Sequence, residues 1–344
     1  NGVYMETNTI IKKGYKQTEI GVIPDDWDVK ELRDVVDFTN GKAHENFISK
    51  IGDYVVVNSK FISTEGRVFK YSNECFCPVS VGSVLMVMSD VPNGKAIAKC
   101  FLVDKDNKYT ANQRICALKP KINERFLFYK INRNPYYLAF DDGVKQTNLR
   151  KDDVLACKLS IPNEESEQTA IATVLSDTDA LIGKLEKLIA KKKAIKKGAM
   201  QQLLTGKKRM PGFSGEWKVK KLGDLLQYEQ PTKYLVKDTT YDFNNFIPVL
   251  TAGKTFILGY TNEEFGIYNN IPVIIFDDFT TESKFVSFPF KVKSSAIKML
   301  KSKDQYLDLR FIYEKIQLID FKFGDHKRYW ISEYQNLKIK IPKY

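Results

Sequence analysis

The sequence predicts an α+β protein in which a long central α-helix separates two similar domains. Three observations support this fold class. The chain has 344 residues, which is enough for two domains. Its two halves repeat one another in order, and an uninterrupted helical pattern lies between them. We expect a first domain at residues 1–162, a helical segment at 163–207 and a second domain at 208–344. Each domain should be a curved, mainly antiparallel sheet with helices.

The composition favours a nucleic-acid partner. The chain carries 54 Lys and Arg residues against 42 Asp and Glu residues, a net charge of +12, and a basic excess suits polyanions. The five cysteines are odd in number and all precede the helical segment, which argues against a disulfide framework and for the cytoplasm. No apolar run has the length of a membrane span, so no membrane association is expected. Cys75 and Cys77 have no histidine nearby, and no metal site is expected.

Four pairs of segments establish the internal repeat. IPDDWDVKELRDVV (residues 23–36) aligns with FSGEWKVKKLGDLL (residues 213–226), and this match pairs Trp27 with Trp217. RFLFYKI aligns with RFIYEKI, ICALKPK with IKMLKSK, and CKLSIP with LKIKIP. Because the matches follow the same order in both halves, the chain contains two copies of one scaffold.

The middle of each copy has the pattern of short β-strands between turn residues. The middles do not match one another, and loops that differ on a shared scaffold usually carry specificity. Simple drift of these loops is the alternative. The scaffold adds a helix near Arg125–Arg133 and a closing strand before Pro162. The strands predicted in the middles are Asp53–Asn58, Ser83–Met88, Ala96–Val103, Phe246–Thr251, Ile271–Phe276 and Lys284–Val292.

The segment from Glu165 to Leu204 predicts one long helix, which Gly206 is expected to end. It contains no proline, and its apolar residues recur at intervals of three and four. About 40 residues make a rod of about 60 Å, so part of the apolar stripe is expected to contact another helix in a coiled coil. The lysines between residues 191 and 197 are either a solvated face or a contact for phosphate or a partner. The expected docking face consists of Ile171, Leu175, Leu181, Leu185, Leu188 and Ile195.

Three stretches carry a family pattern. GYKQTEIGVIPDDWDVKEL (residues 14–32) resembles the start of the specificity subunit of type I restriction–modification systems. EQTAIATVLSDTDALIGKLEKLI, followed by AIKKGAMQQLLTGKKRMPGF, resembles the central conserved helix of that family. GEWKVKKLGDLL is similar to the start of its second target-recognition domain. The resemblance covers nearly the whole chain.

The resemblance implies a non-catalytic subunit with two target-recognition domains, each of which reads half of a bipartite site in double-stranded DNA. Methyltransferase subunits that use S-adenosylmethionine, and restriction subunits that use ATP and Mg²⁺, would bind to it. This chain itself is expected to bind no cofactor. The helix would hold the two domains at a fixed separation. The second conserved helix of the family is not found after Pro342, so self-association through the central helix is also expected.

DNA readers need cations for the phosphates, and amide, guanidinium or carboxylate groups for the base edges. Loops of both repeats mix such residues, and an ordinary polar turn is the alternative for each loop. Lys95 aligns with Lys284, so both are expected near the DNA backbone. Asp277 and Asp278 either accept from cytosine amino groups or pin a turn. The candidate DNA-binding residues are Lys60, Arg67, Lys70, Asn93, Lys95, Asn112, Gln113, Arg114, Lys145, Gln146, Asn148, Arg150, Lys254, Tyr260, Thr280, Lys284, Lys327 and Arg328.

Other functions are weighed against this one. Asn134-Pro135-Tyr136-Tyr137 is similar to the Asn-Pro-Pro-Tyr motif of adenine methyltransferases, but the second proline is absent and the chain contains no Gly-x-Gly sequence. The Asp-Asp pairs lack the Glu-x-Lys spacing that metal-dependent nucleases favour. A protein-interaction scaffold that never reads DNA is the other alternative. Binding that weakens steeply with salt and keeps a sequence preference would distinguish a DNA reader from such a scaffold.

Overall fold

The computed structural model describes residues 11–92, 94–321 and 328–342. The chain divides into two compact units, of which the first ends at Leu185 and the second begins at Glu186. Each unit combines sheets with short helices, so the predicted α+β class is confirmed. Among the described residues, no helix is both long enough and apolar enough to span a membrane.

The first unit contains three two-stranded sheets, two larger sheets and five short α-helices. Its strands are Tyr15–Thr18, Gly21–Pro24, Trp27–Glu31, Val36–Asn40, Tyr54–Val57, Tyr71–Ser72, Val84–Val87, Ser89–Asp90, Cys100–Leu102, Tyr109–Ala111, Ile115–Pro120, Thr147–Asn148 and Lys158–Pro162. Its α-helices are Leu32–Val35, Ser59–Ser63, Glu124–Ile131, Pro135–Leu138 and Lys151–Leu155, and Glu45–Phe47 forms a 3₁₀ turn.

The second unit has a similar but shorter series of elements among its described residues. Its strands are Trp217–Lys221, Leu226–Glu229, Ile247–Leu250, Ile257–Thr261, Val273–Asp277, Ser283–Val286, Lys291–Val292, Ile297–Ser302 and Lys338–Pro342. Its α-helices are Leu222–Leu225, Leu309–Ile316 and Tyr329–Ser332, and Pro231–Tyr234 and Tyr334–Asn336 form 3₁₀ turns.

The strand pairing shows that the two units share one topology. Each has a four-stranded antiparallel sheet, in which the strand that comes last along the chain lies between the first and the second. Each also has a three-stranded sheet with one parallel pair, formed by Tyr54–Val57 with Tyr109–Ala111 and by Ile247–Leu250 with Lys291–Val292. The internal repeat found in the sequence is therefore a duplicated fold.

Each unit is closed by an antiparallel strand pair at its two sequence ends. In the first unit Trp27 lies opposite Pro162, and in the second unit Trp217 lies opposite Pro342. The predicted tryptophan-containing start and closing strand are thus neighbours, and the chain enters and leaves each unit at the same edge.

The four-stranded sheet has a hydrophobic core on each face, because successive side chains of a strand point to opposite sides. In the first unit Val84 and Met86 pack with the helix Glu124–Ile131, and Leu85 and Val87 pack toward the three-stranded sheet. The second unit repeats this arrangement, with Ile274 and Phe276 in one core and Val273 and Ile275 in the other. A sheet buried on both faces explains why these strands are continuous apolar runs.

Two predicted strands differ from the observed ones. Ala96–Val103 forms a strand only at Cys100–Leu102, because the backbone N–H groups of Ala96 and Ile97 donate to the Asp90 carboxylate instead of to a strand. Lys284–Val292 is divided into Ser283–Val286 and Lys291–Val292, which belong to different sheets. Pro289 lies in the gap and has no N–H to donate to a ladder.

The central helix spans Glu165–Leu203, close to the predicted bounds, and its 39 residues make a rod of about 58 Å. Gly206 follows it with a φ of 74°, a left-handed conformation that glycine adopts without strain. Ile171 packs on the core of the first unit, so its assignment to the docking face is wrong. The other predicted docking residues are exposed, in agreement with a stripe that fits a coiled coil: Leu175, Leu181, Leu185, Leu188 and Ile195.

Candidate nucleic-acid interface

A polar cleft of about 390 Å³ lies at the end of the four-stranded sheet in the first unit. Four of the predicted DNA-binding residues line it, although they come from two separate loops. The cleft is lined by Asn40, Met88, Ser89, Gln113, Arg114, Gln146, Asn148 and Leu149.

Three of these side chains form one hydrogen-bond network. Gln146 Nε2 donates to Ser89 Oγ at 2.8 Å and to Asn148 Oδ1 at 3.2 Å. Ser89 Oγ donates to Asn148 Oδ1 at 2.6 Å. Ser89 is buried, whereas Gln146 and Asn148 are exposed to solvent. Two amides are therefore held side by side at the surface by one buried hydroxyl.

A short strand pair places these amides. Thr147 and Asn148 pair with Asp90 and Ser89 in an antiparallel ladder. Gln146 and Asn148 lie two residues apart and so face the same side, while the intervening Thr147 is buried. Thr147 Oγ1 donates to Asp141 Oδ1 at 3.1 Å, which ties the strand to the preceding turn.

The second wall of the cleft comes from the turn before strand Ile115–Pro120. Arg114 is exposed, and Gln113 Nε2 donates to Glu45 Oε1 at 2.9 Å. Asn112 is half-buried, and its Oδ1 has no hydrogen-bond partner among the described residues. Its backbone N–H and carbonyl bond to Val57 and Ile115, so Asn112 belongs to the end of the scaffold strand.

Other candidates of the first unit lie on exposed loops. Lys60, Arg67 and Lys70 lie on the segment between strands Tyr54–Val57 and Tyr71–Ser72, and Arg67 Nε donates to the carbonyl of Thr64 at 3.0 Å. Lys95 and Lys145 are exposed as well. The four lysines expose their ammonium groups to solvent, whereas the Arg67 guanidinium also lies 4.0 Å from Glu65 Oε2. Asn93 lies outside the described residues.

Arg150 is engaged with its own helix. Its Nε lies 3.0 Å from Asp153 Oδ2, and its backbone N–H donates to the same carboxylate at 2.8 Å. These bonds hold the pKa of Asp153 below its ordinary value. The Arg150 side chain is nevertheless exposed, so it can still face a phosphate.

Two equivalent hydrogen bonds align the cleft with the second unit. The Leu149 N–H donates to the carbonyl of Met88 at 2.8 Å, and the Tyr329 N–H donates to the carbonyl of Asp278 at 2.8 Å. In each unit the donor lies at or just before the start of a short helix, Lys151–Leu155 or Tyr329–Ser332. The acceptor directly follows the strand Val84–Val87 or its counterpart Val273–Asp277. Met88 and Asp278 therefore occupy equivalent positions.

The side chains at these aligned positions differ between the units. Phe279 takes the place of Ser89, because each directly follows the aligned residue. Arg328 takes the place of Asn148, because each directly precedes the donor of the aligned bond. The second unit thus presents an aromatic ring and a guanidinium where the first presents a hydroxyl and an amide.

Asp278 forms a buried ion pair that the sequence did not reveal. Lys298 Nζ lies 3.4 Å from Asp278 Oδ2 and donates to Gln230 Oε1 at 2.9 Å. Asp278 Oδ1 accepts from the Trp330 N–H at 2.8 Å. Because Asp278 is completely buried, it does not reach a base, and the alternative that the aspartates accept from cytosine is wrong for this residue.

Asp277 pins the adjacent turn. Its Oδ1 accepts from the N–H groups of Phe279 and Thr280, both at 2.9 Å. The structure thus favours the turn-pinning alternative. The only sequence signal for the buried pair was the lysine of IKMLKSK at an apolar position of the strand pattern.

The remaining candidates of the second unit are dispersed. Lys254, Thr280 and Arg328 are exposed, and Tyr260 is half-buried next to Phe243. Lys327 lies outside the described residues.

The predicted equivalence of Lys95 and Lys284 is wrong. Strand pairing places Ile274 opposite Phe285, as it places Val84 opposite Leu102. Lys284 therefore corresponds to the residue before Leu102 and not to Lys95. The sequence alignment of the two lysines is wrong because the loops between these strands differ in length.

The Asn-Pro-Tyr-Tyr segment is structural. Asn134 Oδ1 accepts from the Tyr136 N–H at 2.9 Å and its Nδ2 donates to the carbonyl of Lys130 at 2.8 Å. Tyr137 is buried, and its hydroxyl donates to the carbonyl of Val154 at 3.1 Å. These side chains connect the helix Pro135–Leu138 to the helices Glu124–Ile131 and Lys151–Leu155. Among the described residues, no group of three His, Cys, Asp or Glu side chains could hold a metal ion.

Comparisons with known proteins agree on one kind of protein. The family described as type I restriction modification DNA specificity domain matches residues 24–197. The specificity subunit of the type I restriction enzyme EcoR124I/EcoR124II from Escherichia coli is 52% identical over 148 residues, which are 42% of this chain and 36% of that protein. This match spans little more than a third of that relative.

A second relative and one solved structure cover more of the chain. The putative type I restriction enzyme MjaX specificity subunit of Methanocaldococcus jannaschii is 26% identical over 295 residues, which are 78% of this chain and 68% of that protein. The crystal structure of a type I restriction-modification S subunit from M. genitalium superposes with a TM-score of 0.62 at 15% identity, covering 92% of this chain and 85% of that one. At that identity the superposition shows a shared fold.

Proposed function

The chain belongs to the type I restriction modification DNA specificity domain family, and from this membership we propose that it is the DNA-recognition subunit of a type I restriction–modification enzyme. Each unit reads one half of a bipartite site in double-stranded DNA. The chain performs no chemistry itself, because its role is to select the site at which other subunits act.

One structural observation carries this proposal. The two units share one strand order, yet equivalent positions hold Ser89 and Asn148 in one unit and Phe279 and Arg328 in the other. A pair of readers that must recognise two different half-sites needs this combination of a constant frame and variable side chains. An amide suits adenine and a guanidinium suits guanine.

The partners follow from the same role. Methyltransferase subunits that bind S-adenosylmethionine methylate an adenine in each half-site, and restriction subunits that use ATP and Mg²⁺ complete the enzyme. The exposed stripe of the central helix offers them a docking surface, and it also allows two copies of this chain to associate. DNA is the substrate of this assembly, so the proposed location is the cytoplasm.

Reconstitution tests the proposal. The chain is expressed with its methyltransferase subunits, and the methylated sites of the host genome are sequenced. The expected result is one bipartite motif with a fixed gap. Binding of the complex to a duplex that carries the motif should weaken steeply as salt is raised and should stay stronger than binding to a scrambled duplex. A complex that methylates nothing and binds both duplexes equally would support an interaction scaffold instead.

A further inference from the structure

The amide pair of the first unit leaves a defined set of hydrogen-bonding groups unused. Both N–H groups of the Gln146 amide are engaged, by Ser89 Oγ and by Asn148 Oδ1. Asn148 Oδ1 in turn accepts from both neighbours. A carboxamide has two donors and one acceptor oxygen. Gln146 Oε1 therefore remains as an acceptor and Asn148 Nδ2 as a donor.

The Asn148 donor is only weakly occupied. Nδ2 reaches the carbonyl of Gln146 at 3.4 Å, at the long end of hydrogen-bond lengths. This bond uses one of its two N–H groups, and the other faces the solvent. The bonded atoms of the two amides, Gln146 Nε2 and Asn148 Oδ1, lie 3.2 Å apart, so the free acceptor and the free donor belong to neighbouring amide groups.

The polarity of the pair does not depend on which way the amides face. If both amides are turned over, Asn148 donates twice and Gln146 accepts twice. One acceptor and one donor then remain, with their roles exchanged. The single Ser89 hydroxyl enforces this complementarity, because it can donate to only one of the two amide oxygens.

Among the bases, adenine matches a pair of amides that offers one acceptor and one donor. In the major groove adenine presents the N6 amino group as a donor and N7 as an acceptor. Guanine presents two acceptors, N7 and O6, and would oppose the free acceptor oxygen. Cytosine has one amino donor, and thymine has one carbonyl acceptor beside a methyl group, so each would leave one protein group unpaired.

We propose that Gln146 and Asn148 together read one adenine of the first half-site, and that Ser89 is the positioning residue that holds them for this contact. The inference rests on the proposed function and deepens it by naming the base. Because Ser89 is buried beneath the amides, it acts through them and does not touch the DNA.

The test uses the complete complex with methyltransferase subunits and its own motif. Duplexes with each of the four bases at every position of the first half-site are compared by competition binding. Wild type should prefer adenine at one position, by roughly 10-fold or more over guanine. Asn148→Asp replaces the free donor with an acceptor, and preference at that position should move from adenine toward cytosine.

Two further variants separate recognition from folding. Ser89→Ala should flatten the preference at the same position, while binding to a scrambled duplex at low salt stays unchanged. Gln146→Met replaces an exposed carboxamide with an apolar side chain of similar length, and it should flatten the preference at the same position. Asn107→Asp is the matched control, because Asn107 is an exposed turn residue with a φ of 54° that aspartate also tolerates. It adds the same charge and should leave every base preference unchanged.

The failures are distinguishable. If wild type reads a motif but Asn148→Asp and Gln146→Met change no position, or change a position occupied by guanine, the adenine assignment is overturned and the proposed function stands. If wild type shows no base preference at all, the proposed function falls and takes this inference with it.

Discussion

Lys298 Nζ lies 3.4 Å from Asp278 Oδ2 in the second unit, and both side chains are completely buried. The equivalent positions of the first unit hold two uncharged side chains, those of Cys116, which is buried, and Met88, which is partly buried. The duplicated fold therefore tolerates either a charge pair or an apolar pair at the base of the cleft. In the second unit the pair also fixes the Trp330 N–H, and with it the segment that carries Arg328.

Removing one partner of this pair should destabilise the second unit. Lys298→Met leaves a buried carboxylate without its cation, which costs about 3–5 kcal/mol. The double variant Lys298→Cys with Asp278→Met imitates the first unit and should lose less than the sum of the two single changes. Chemical denaturation of the four proteins measures this coupling. Additive losses would show that the two charges do not stabilise one another.

Exposed lysines of the first unit should contribute to DNA binding without regard to sequence. Lys60→Ala and Lys95→Ala should weaken binding to specific and scrambled duplexes alike. If each lysine contacts one phosphate, the slope of log K against log salt should become shallower by about 0.9 per residue. Lys218→Ala, in the closing strand pair of the second unit, is the control. A loss confined to the specific duplex would instead make Lys60 or Lys95 a base reader.

The exposed stripe of the central helix should matter for assembly and not for folding. Leu185 and Leu188 are 48% and 49% exposed, and they belong to no hydrophobic core of the described chain. Leu185→Gln and Leu188→Gln should leave the unfolding of both units unchanged. They should reduce self-association, or binding of methyltransferase subunits, in light scattering and co-purification. Lys184→Gln on the same helix provides the control, and equal assembly of all three variants would argue against a docking stripe.

Acidic pH should weaken the second unit through Glu229. A hydrogen bond from Lys301, whose Nζ lies 2.7 Å away, is the main cause that lowers the pKa of Glu229; burial opposes it and the Tyr234 hydroxyl assists it. A carboxyl group with a lowered pKa stabilises the fold above its unfolded pKa, and this contribution is lost as the pH falls through the folded value.

Lys301→Met should therefore raise the pKa of Glu229, and the free energy of unfolding should fall less steeply as the pH is lowered. Carboxyl titration by NMR, with denaturation at several acidic pH values, measures both effects. Lys338→Met, an exposed lysine of the closing strand, should change neither. An unaltered Glu229 titration in Lys301→Met would mean that another group holds this carboxylate.

The scaffold could be predicted from the sequence because its signals are local or repeated. The run from Glu165 to Leu203 has helical spacing and a glycine after its end, and Trp27 and Trp217 mark the same strand twice. Strands buried on both faces, such as Val84–Val87, show as apolar runs. The predicted strand bounds are wrong where a side chain, and not a neighbouring strand, accepts the backbone hydrogen bonds. The Asp90 carboxylate does so for the N–H groups of Ala96 and Ile97.

The site was only partly predictable. Gln113, Arg114, Gln146 and Asn148 were chosen by residue type, but their meeting in one cleft depends on pairing between loops far apart in sequence. Lys298 stood out only as a lysine at an apolar position of its strand, and nothing marked Asp278 as its partner, since the two residues are 20 positions apart and meet only across the sheet. The sequence places Ile171 on the docking face because the helical stripe does not show which of its residues pack against a domain.

The antiparallel pairs at Trp27 and Pro162, and at Trp217 and Pro342, give each unit the geometry of an interchangeable cassette. Cutting the chain at these two neighbouring points frees all the loops that we propose to determine recognition, while the junctions stay a strand's width apart. A gene that recombines within the codons of these strands would transplant one reader onto another frame without a new linker. New specificities could then arise by grafting whole units, which is a much shorter route than rebuilding a cleft one residue at a time.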